Sequence, residues 1–432
     1  MLVGVPTSPG AGAGPVVRPT GRAPAAGVVV AGDLTPGDVM ALDAGSVRAV
    51  ATAAGAPLSH AAIVARSRGI PLVTGLGPAV LDIPEGTLVL VDGGAGTVHV
   101  DPEPSVVEAA AARQRAAAAR DDEAQARAMD AARTVDGHLV PVVANVGGPD
   151  EARVAIAAGA DGVGMLRTEF AFLDRPHPPG EDEQYLAYRR VADALDGRPL
   201  VVRTLDLGAD IPAWGGMAEP NPALGNRGLR FTLTAPDLLE TQLRAVVRLA
   251  AERPVQVMFP MVTGVDEVRA ARACLDRLVD RSGSAPTVEV GITVEVPAAA
   301  VTAEAFAPLV DFFAIGSNDL TQYTLAADRQ NAAVAALADG LHPAVLRLIR
   351  LVAYAGEVHH RPVEIVGEMA TDPLAIPIIL GLGVTMLSVR PNAVATVKQA
   401  VRATSLAKAR GLAEAALDAE SAAAVRRLAA AP

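Results

Sequence analysis

Short apolar runs and helical stretches alternate along residues 138 to 403. The apolar runs are rich in Val and end in polar or Gly-containing turns; in order they read VPVVANV, GVGMLR, PLVVRTLD, VQVMFP, EVGITVEV, DFFAIG, PVEIVG and TMLSV. Stretches with helical patterning lie between or after them, the clearest being DEARVAIAAG, LLETQLRAVVRLAAE, VDEVRAARACLDRLVDR, HPAVLRLIRLVAYAGE and AVATVKQAVRAT. Eight strands with intervening helices over this length predict a (β/α)8 barrel, and a doubly wound open sheet is the alternative.

The first 101 residues carry a second, smaller pattern. Val-rich runs between Gly and Pro turns predict strands at VVVAGDLTP, VRAVATAAG, PLVTG, TLVLVDG and TVHVD. One helix is predicted among them, SHAAIVARSRG, which Ser59 would cap and Gly69 would end. This region is therefore predicted to form a compact α/β domain of its own.

Two segments have helical propensity but no broad apolar face. Residues 102–136 are rich in Ala, Arg, Glu and Gln, which predicts a long, exposed linker helix. The tail at 404–432 is also helical by propensity, and we expect no chemistry from it. The predicted organisation is an α/β chain with a domain at 1–101, a linker helix at 102–136, a barrel at 137–403 and a helical tail.

Composition and charge narrow the classes of function. Of the 432 residues, 51% are hydrophobic and only 3% aromatic, which favours a core of Ala, Val, Leu and Ile, as in βα repeats. The formal net charge of −11 argues against a nucleic-acid or membrane surface but leaves room for local basic pockets. Cys274 is the single cysteine, so no internal disulfide can form. No signal-peptide pattern or long apolar run is present, and we expect a cytoplasmic protein.

The candidate chemistry lies where the predicted barrel strands end. The stretch FAIGSNDLTQYTLAADR puts Ser317, Asn318 and Asp319 just after a strand, with Arg329 further along. The other polar residues at predicted strand ends are Asn145, Arg167, Thr168, Glu169, Arg203, Asp206 and Glu295. Because the carboxyl ends of barrel strands converge at one face, we expect these side chains to meet.

The charges in this set predict the kind of ligand. The guanidinium groups of Arg167, Arg203 and Arg329 can pair with carboxylate or phosphate oxygens. Glu295 and Asp319 would repel such an anion unless a divalent cation joined them, and Mg²⁺ suits these oxygen ligands. The hypothesis is a small phosphorylated acid held by arginines and chelated to magnesium. Taken singly, each arginine is equally explained as an ion-pair residue, and the turn at 317–319 as an inert helix cap.

His60 is the one notable side chain of the first domain. It lies in the first turn of the predicted helix, after the turn AGAPLS. One interpretation is a histidine of the capping region without chemistry, and the other is an exposed nucleophile.

Several long segments resemble a known family. GVGMLRTEFAFLDR, VVRTLDLG, NPALGNRGLR, VMFPMV, GITVEVPAAA and AIGSNDLTQYTLAADRQN resemble the phosphoenolpyruvate-binding barrel of the Enzyme I family, the phosphoenolpyruvate–protein phosphotransferases. AGAPLSHAAIVARSRGIPLVTG is similar to the swivelling phosphohistidine domain of the same phosphoenolpyruvate-utilising superfamily. The resemblance runs from about residue 3 to 403, in family order.

The resemblance implies roles for particular residues. His60 would accept the phosphoryl group on a ring nitrogen, and the helix at 102–136 would be a hinge arm that carries it. Mg²⁺ would bind Glu295 and Asp319. The residues expected to hold phosphoenolpyruvate are Arg167, Arg203, Asn318 and Arg329, with Asp206 and Ser317 as further candidates. Relatives pair through the barrel, which implies a homodimer by analogy.

Four departures from the family pattern change the expectation. The helical domain that docks the carrier protein is missing, because GVPTSPGAGAGPVV runs almost directly into VVVAGDLTP. Val366 occupies the position of the cysteine acid that protonates the enolate, and valine cannot donate a proton. Leu58 replaces a threonine before His60, and Ile211 replaces a lysine. Cys274 cannot stand in for the missing acid, because it lies inside a predicted helix.

The function predicted from the sequence is a magnesium-dependent phosphotransferase that moves the phosphoryl group of phosphoenolpyruvate to His60 and on to an unidentified small molecule or protein. A catalytically impaired module that binds phosphoenolpyruvate or pyruvate for regulation is one alternative. Another is the barrel and swivelling parts of a split dikinase, with its ATP-binding domain on another chain, since no Gly-rich phosphate loop with a lysine is found.

Overall fold

The computed structural model describes residues 1–8, 10–18, 26–43, 45–55, 59–173, 175–207, 219–329, 331 and 333–431. Residue contacts divide the chain into two compact units, residues 1–122 and 123–432, and the helix Pro104–Ala126 spans the division. The domain boundaries expected from the sequence stay a prediction. Each unit is described separately.

The first unit is built on an eight-stranded sheet. Its strands are β1 Leu2–Val3, β2 Val5–Ser8, β3 Ala11–Val17, β4 Gly27–Ala31, β5 Val47–Thr52, β6 Leu72–Thr74, β7 Leu88–Asp92 and β8 Thr97–Val100, in the spatial order β1-β8-β7-β3-β4-β5-β6-β2. Its helices are α1 Pro36–Ala41, α2 His60–Ser67 and the start of α3 Pro104–Ala126. The five strands and the helix predicted here are all present.

The strands β1, β2 and β3 were not predicted, and glycine explains this for β3. A Cβ atom at Gly12 would lie 2.0 Å from the carbonyl oxygen of Arg48, and one at Gly14 would lie 3.2 Å from Gly27. The strand needs glycine where other backbone approaches closely, so it lacks the β-branched residues that mark a strand in a sequence.

The second unit is a closed barrel of eight parallel strands, as predicted, and the open-sheet alternative is wrong. The strands are β9 Val142–Val146, β10 Val163–Arg167, β11 Leu200–Arg203, β12 Gln256–Phe259, β13 Glu289–Val294, β14 Phe312–Gly316, β15 Val363–Val366 and β16 Met386–Val389, and β16 pairs with β9 to close the ring. The helices are α4 Pro149–Ala157, α5 Glu181–Ala194, α6 Gly228–Thr234, α7 Pro236–Ala250, α8 Val265–Arg281, α9 Pro297–Val301, α10 Ala303–Phe306, α11 Ser317–Leu325, α12 Pro343–His359, α13 Ala375–Gly381, α14 Val394–Ala403, α15 Leu406–Leu417 and α16 Ala422–Ala430.

Side chains alternate between the two faces of the barrel wall. Outward-facing Val, Leu and Ile residues form one large core with the helices. The inward face holds a smaller apolar cluster of Met165, Val201, Met258, Phe312, Ala314 and Val366. Polar residues that lie above this cluster, at the carboxyl ends of the strands, are therefore held on a packed and rigid floor.

Arg426 of α16 makes specific contacts in the tail, while the expectation that the tail offers no chemistry stays a prediction. Its guanidinium donates two hydrogen bonds to Asp339, at 2.8 and 2.9 Å, and one to Asp372 at 3.1 Å. Asp339 lies between α11 and α12, in the connection from β14 to β15, and Asp372 lies between β15 and α13, so one side chain joins two successive connections of the barrel. These contacts hold the pKa of Asp339 below its ordinary value against the opposing effect of burial.

Cys274 is buried in α8, consistent with its predicted packing role. Within the described part of the chain, we find no helix that is both long and apolar enough to cross a membrane.

Candidate functional site

The charged residues at the strand ends are brought together as expected from the barrel topology. Arg167 ends β10 and Arg203 ends β11, and the two residues are direct partners in the parallel register. Glu295 follows β13 directly, and Asp319 lies in the first turn of α11, directly after β14. Each is fixed by a short connection from a strand, so the side chains have little freedom to separate.

Arg203 is largely buried among acids. Its Nη2 donates to Glu169 at 2.9 Å, and Nη1 lies 3.7 Å from Asp206. Burial opposes the charged form, but Glu169, Asp206 and Glu295 outweigh it and raise the pKa of Arg203 above its ordinary value. The guanidinium therefore stays charged and oriented, and its Nε has no hydrogen-bond partner among the described residues.

Arg227 is a site residue that the sequence analysis missed. Its Nε and Nη2 donate to the two carboxylate oxygens of Asp206 at 3.0 and 2.7 Å, and Nη1 lies 3.4 Å from Asp319. Burial disfavours its charge, yet the pKa of Arg227 is raised by Asp206 and Asp319. Arg227 is the N-cap residue of α6, in the long connection after β11. The sequence analysis considered only residues at the ends of predicted strands, and therefore did not include it. The motif NPALGNRGLR, quoted for the resemblance, contained the signal.

Glu295 and Asp319 are two acids within electrostatic reach of each other. Glu295 is buried, and its Oε1 accepts a hydrogen bond from the backbone N–H of Met261 at 2.7 Å. Burial, together with the charges of Asp319 and Asp206, raises the pKa of Glu295 to about 8. A Cβ atom at Gly316 would lie 2.6 Å from Glu295 Oε2, so glycine there admits the carboxylate beside the Asp319 turn. Such a pair of oxygen ligands suits a divalent cation, which would stabilise both ionised forms.

Arg203, Arg227 and Asp319 border a cavity of about 810 Å³ at the mouth of the barrel. Its described lining includes the arginines Arg167, Arg203, Arg227, Arg230 and Arg329 and the acids Asp206, Asp319 and Asp328. Arg329 is partly exposed and its Nη1 lies 3.8 Å from Asp319. Arginine is therefore in excess over acid at this surface, although the chain as a whole is acidic.

Arg167 differs from the other arginines of the cavity because its charge is poorly compensated. Burial and the neighbouring Arg203 lower its pKa, although Glu151 and Glu169 oppose the effect of that arginine. Its guanidinium stacks on Phe170 at 5.1 Å, and its buried Nε has no hydrogen-bond partner among the described residues. An arginine held in this state is stabilised by a bound anion.

Ser317 and Asn318 connect neighbouring loops. The Ser317 hydroxyl is buried and donates to the carbonyl of Val366 at 2.8 Å. Asn318 Oδ1 accepts the N–H of Glu368 at 3.0 Å. A Cβ atom at Gly367, where φ is +115°, would lie 2.4 Å from the Ser317 hydroxyl. In this arrangement Ser317 bonds protein backbone, while its predicted contact with substrate stays a prediction.

Val366 ends β15 inside the barrel and is buried in the inward apolar cluster. It offers no proton donor at this position, where the family pattern has a cysteine acid. Asn145 lies lower in the barrel, where its Oδ1 accepts the hydroxyl proton of Ser388 at 2.6 Å.

His60 is the first residue of α2 in the first unit, and the side chain of Ser59 caps that helix through the N–H of Ala62 at 3.2 Å. The side chain of His60 lies outside the described residues, as do Leu58 and Ile211. The roles predicted for the site residues stay predictions.

Comparison with family models decides the family. Residues 121–406 match the phosphoenolpyruvate-binding domain of phosphoenolpyruvate-utilising enzymes, and residues 23–96 match the mobile domain of those enzymes. The chain belongs to the family of phosphoenolpyruvate-utilising enzymes. The resemblance to Enzyme I seen in the sequence is thereby confirmed at the family level.

This chain is similar to individual relatives over most of its length. It is 47% identical over 404 residues to a multiphosphoryl transfer protein of Rhodobacter capsulatus, covering 93% of this chain and 49% of the relative. It is 44% identical to a phosphoenolpyruvate-protein phosphotransferase of Haloferax volcanii, covering 94% of this chain and 72% of the relative. One from Streptomyces coelicolor is 43% identical over 91% of this chain and 70% of its own length. The chain thus spans about half the length of the multiphosphoryl transfer proteins that it matches.

Proposed function

We propose that this protein transfers the phosphoryl group of phosphoenolpyruvate to His60, with Mg²⁺, and from there to an acceptor. The observation that carries the proposal is the cavity at the barrel mouth, whose described lining has more arginines than acids and includes Asp319, which is within electrostatic reach of Glu295. Phosphoenolpyruvate has a phosphate and a carboxylate on three carbons, which needs several cations in a small space. Names of relatives with 41–47% identity support phosphoenolpyruvate-dependent transfer.

The arginines have different proposed roles, which depend on how far neighbouring acids balance the charge of each guanidinium. Arg203 and Arg227 are locked by Glu169 and Asp206, so they present fixed positive charge to the cavity. Arg167 has a buried nitrogen without a described partner and would pair with an anionic oxygen of the substrate. Arg329, at the more open side, would neutralise charge that spreads as the phosphoryl group leaves.

Glu295 and Asp319 would hold the magnesium ion. The fit rests on the donor set: two carboxylates that follow the adjacent strands β13 and β14, Glu295 having its pKa raised to about 8 partly by the charge of Asp319. Mg²⁺ usually binds one or two carboxylates and completes its shell with water and phosphate oxygens, so two protein ligands suffice. When bound, the ion would supply positive charge against the phosphoryl oxygens.

The acceptor of the phosphoryl group is a separate question. The helical domain that Enzyme I uses to dock its carrier protein is not inserted between β3 and β4, which lie close in sequence. We therefore propose an acceptor other than the usual carrier, either a small molecule or a differently docked protein. A homodimer through the barrel is proposed by analogy alone.

A second candidate function is favoured by Val366. Without an acid at that position, the protein could bind phosphoenolpyruvate or pyruvate as a sensor and release pyruvate too slowly to act as an enzyme.

Radiolabelling separates the two functions. Protein incubated with Mg²⁺ and phosphoenolpyruvate labelled on phosphorus should form an acid-labile, base-stable phosphoprotein. His60→Ala should abolish the label, while His138→Ala, an exposed loop histidine, should retain it. Tight binding of phosphoenolpyruvate by calorimetry with no label would support the sensor and contradict the transferase.

A further inference from the structure

Arg230 lines the cavity but has no part in the proposed function. It is a half-buried residue of α6, three positions after Arg227. Its guanidinium makes two hydrogen bonds, from Nη2 to the hydroxyl of Thr263 at 2.7 Å and from Nη1 to the carbonyl of Gly225 at 3.3 Å. Both acceptors are neutral. Among the described residues, no acid therefore balances the charge of Arg230 by direct contact.

The other arginines of the lining form a connected charge network, here called the arginine network: Arg167, Arg203, Arg227 and Arg329. Asp206 lies within 3.7 Å of two of them, and Asp319 lies within 3.8 Å of two of them. Arg167 has its pKa lowered by burial and by Arg203. Arg230 shares no acid with this network in the part of the chain that the structure describes. It is a separate position of positive charge at the same cavity.

Thr263 adds a hydrogen-bond donor beside this charge. Its hydroxyl accepts the bond from Arg230, which leaves the hydroxyl proton to be donated elsewhere. No acceptor for that proton is found among the described residues. The backbone N–H of Thr263 donates to Glu267 at 2.7 Å, which holds the residue in place just before α8. The guanidinium and the hydroxyl can thus donate to two oxygens of one anion.

The cavity has room for more than phosphoenolpyruvate. Its volume is about 810 Å³, and pockets of about 300–1,000 Å³ hold drug-sized ligands, whereas phosphoenolpyruvate is a small three-carbon ester. Residues 220–224, which lead into Gly225, line the same cavity and are apolar except for Asn221. Leu224 is 66% exposed. A small molecule with its anionic group on Arg230 can therefore contact this segment with its apolar part.

We propose that Arg230 and Thr263 form a second anion subsite, which binds the carboxylate or phosphate group of a small metabolite beside phosphoenolpyruvate. This rests on the proposed function in one respect, because phosphoenolpyruvate is taken to occupy the arginine network. The guanidinium and the hydroxyl each donate to the bound group. Since the charge of Arg230 is separate from the network, both ligands are held at the same time.

The test uses full-length His60→Ala protein, which lacks the proposed phosphoryl acceptor. The protein is saturated with Mg²⁺ and phosphoenolpyruvate, and calorimetry follows its titration with inorganic phosphate and, separately, with acetate. At least one of the two anions should bind while phosphoenolpyruvate stays bound, and the comparison shows which group the subsite takes. Adding Arg230→Gln should weaken this binding by at least about tenfold, the loss expected for a charge-assisted hydrogen bond. Affinity for phosphoenolpyruvate should stay the same.

Two further variants control the result. Thr263→Val keeps the size of the side chain but removes the hydroxyl, and it should weaken anion binding by a smaller factor. Arg281→Gln removes an exposed arginine at the opposite end of α8 and should leave anion binding unchanged. If Arg230→Gln loses phosphoenolpyruvate as well, Thr263→Val decides, and full anion binding by that variant would overturn the proposal.

The proposal is also overturned if both anions fail to bind, bind only by displacing phosphoenolpyruvate, or bind equally well after Arg230→Gln. In each case phosphoenolpyruvate is still bound, so the transferase stands. If phosphoenolpyruvate itself does not bind, the proposed function fails, and the ligand-free protein is titrated instead. Arg230→Gln should then weaken an anion site that Arg167→Gln leaves unchanged. A single site weakened by both variants would contradict a separate subsite.

Discussion

Arg227 grips Asp206 through two parallel hydrogen bonds, of 3.0 and 2.7 Å, at the wall of the cavity. Asp206 is buried, which disfavours its charge, but Arg203 and Arg227 hold its pKa below the ordinary value. The acid therefore serves to position two arginines, and neither partner can be removed without leaving a buried charge.

Arg227→Gln should consequently lower both stability and affinity. We expect a loss of about 3–5 kcal/mol in the free energy of unfolding, the usual cost of breaking a buried pair from one side. Phosphoenolpyruvate affinity, measured by calorimetry, should fall by at least about tenfold, which is 1.4 kcal/mol.

The double variant Arg227→Gln with Asp206→Asn is the control for this prediction. It should recover part of the stability, because no unpaired charge remains, but none of the affinity. If denaturant unfolding gave the single and double variants equal stability, the proposed cost of leaving Asp206 unpaired would be contradicted.

Val366→Cys should raise the rate of pyruvate formation if the rest of the machinery is intact. The thiol would stand at the end of β15, next to the floor of the cavity. Single-turnover measurement of pyruvate checks the rate, and Val366→Ala, which shortens the side chain without adding a donor, is the matched control. An unchanged rate in the cysteine variant would show that the missing donor does not limit the reaction.

Glu295→Gln should abolish the effect of Mg²⁺ on stability. In the wild-type protein, an ion that binds only the folded state raises the melting temperature with increasing concentration. The amide keeps the size of the side chain but removes its charge, so titration with Mg²⁺ should leave the melting temperature of the variant unchanged. Glu289→Gln, at the opposite end of β13, should respond like the wild-type protein.

Stability should fall as pH rises from about 4.5 to about 8, partly because of Glu364. Its pKa is raised by burial, so the folded protein holds a proton that the unfolded chain releases in this range. The maximum slope from one such group is about 1.4 kcal/mol per pH unit. Glu364→Gln should flatten the curve of unfolding free energy against pH, measured by urea denaturation, and an unchanged slope would contradict the raised pKa.

Gly367→Ala should disturb the loop that joins β15 to the site. The residue has φ of +115°, and a Cβ atom would lie 2.4 Å from the Ser317 hydroxyl and 2.8 Å from Asn318 Oδ1. Backbone strain alone costs on the order of 1–3 kcal/mol. We expect lower stability and weaker phosphoenolpyruvate binding. Gly411→Ala in α15, where a Cβ atom meets nothing within 4 Å, should instead add about 0.5–1 kcal/mol.

The barrel could be predicted because the sequence pattern of each strand is contained in a few consecutive residues. Each strand is a short apolar run with a turn after it, and short connections place residues such as Arg167 and Glu295 at the strand ends without further information. Arg227 could not be placed in this way, because it returns to the site from a long connection. The burial of Glu364 was also missed, since one acid in a strand is ordinarily taken to face solvent.

The contacts of Arg426 tie the helix α16 to two connections of the barrel, one of which also carries Arg329 of the cavity lining. A protein cut after Leu417 would retain every barrel strand, yet Asp339 and Asp372 would lose the cation they share. The connection that contains both Arg329 and Asp339 would then lose the restraint that the ion pair with Arg426 provides. An affinity tag meant to leave the cavity undisturbed is accordingly better placed ahead of β1 than after α16.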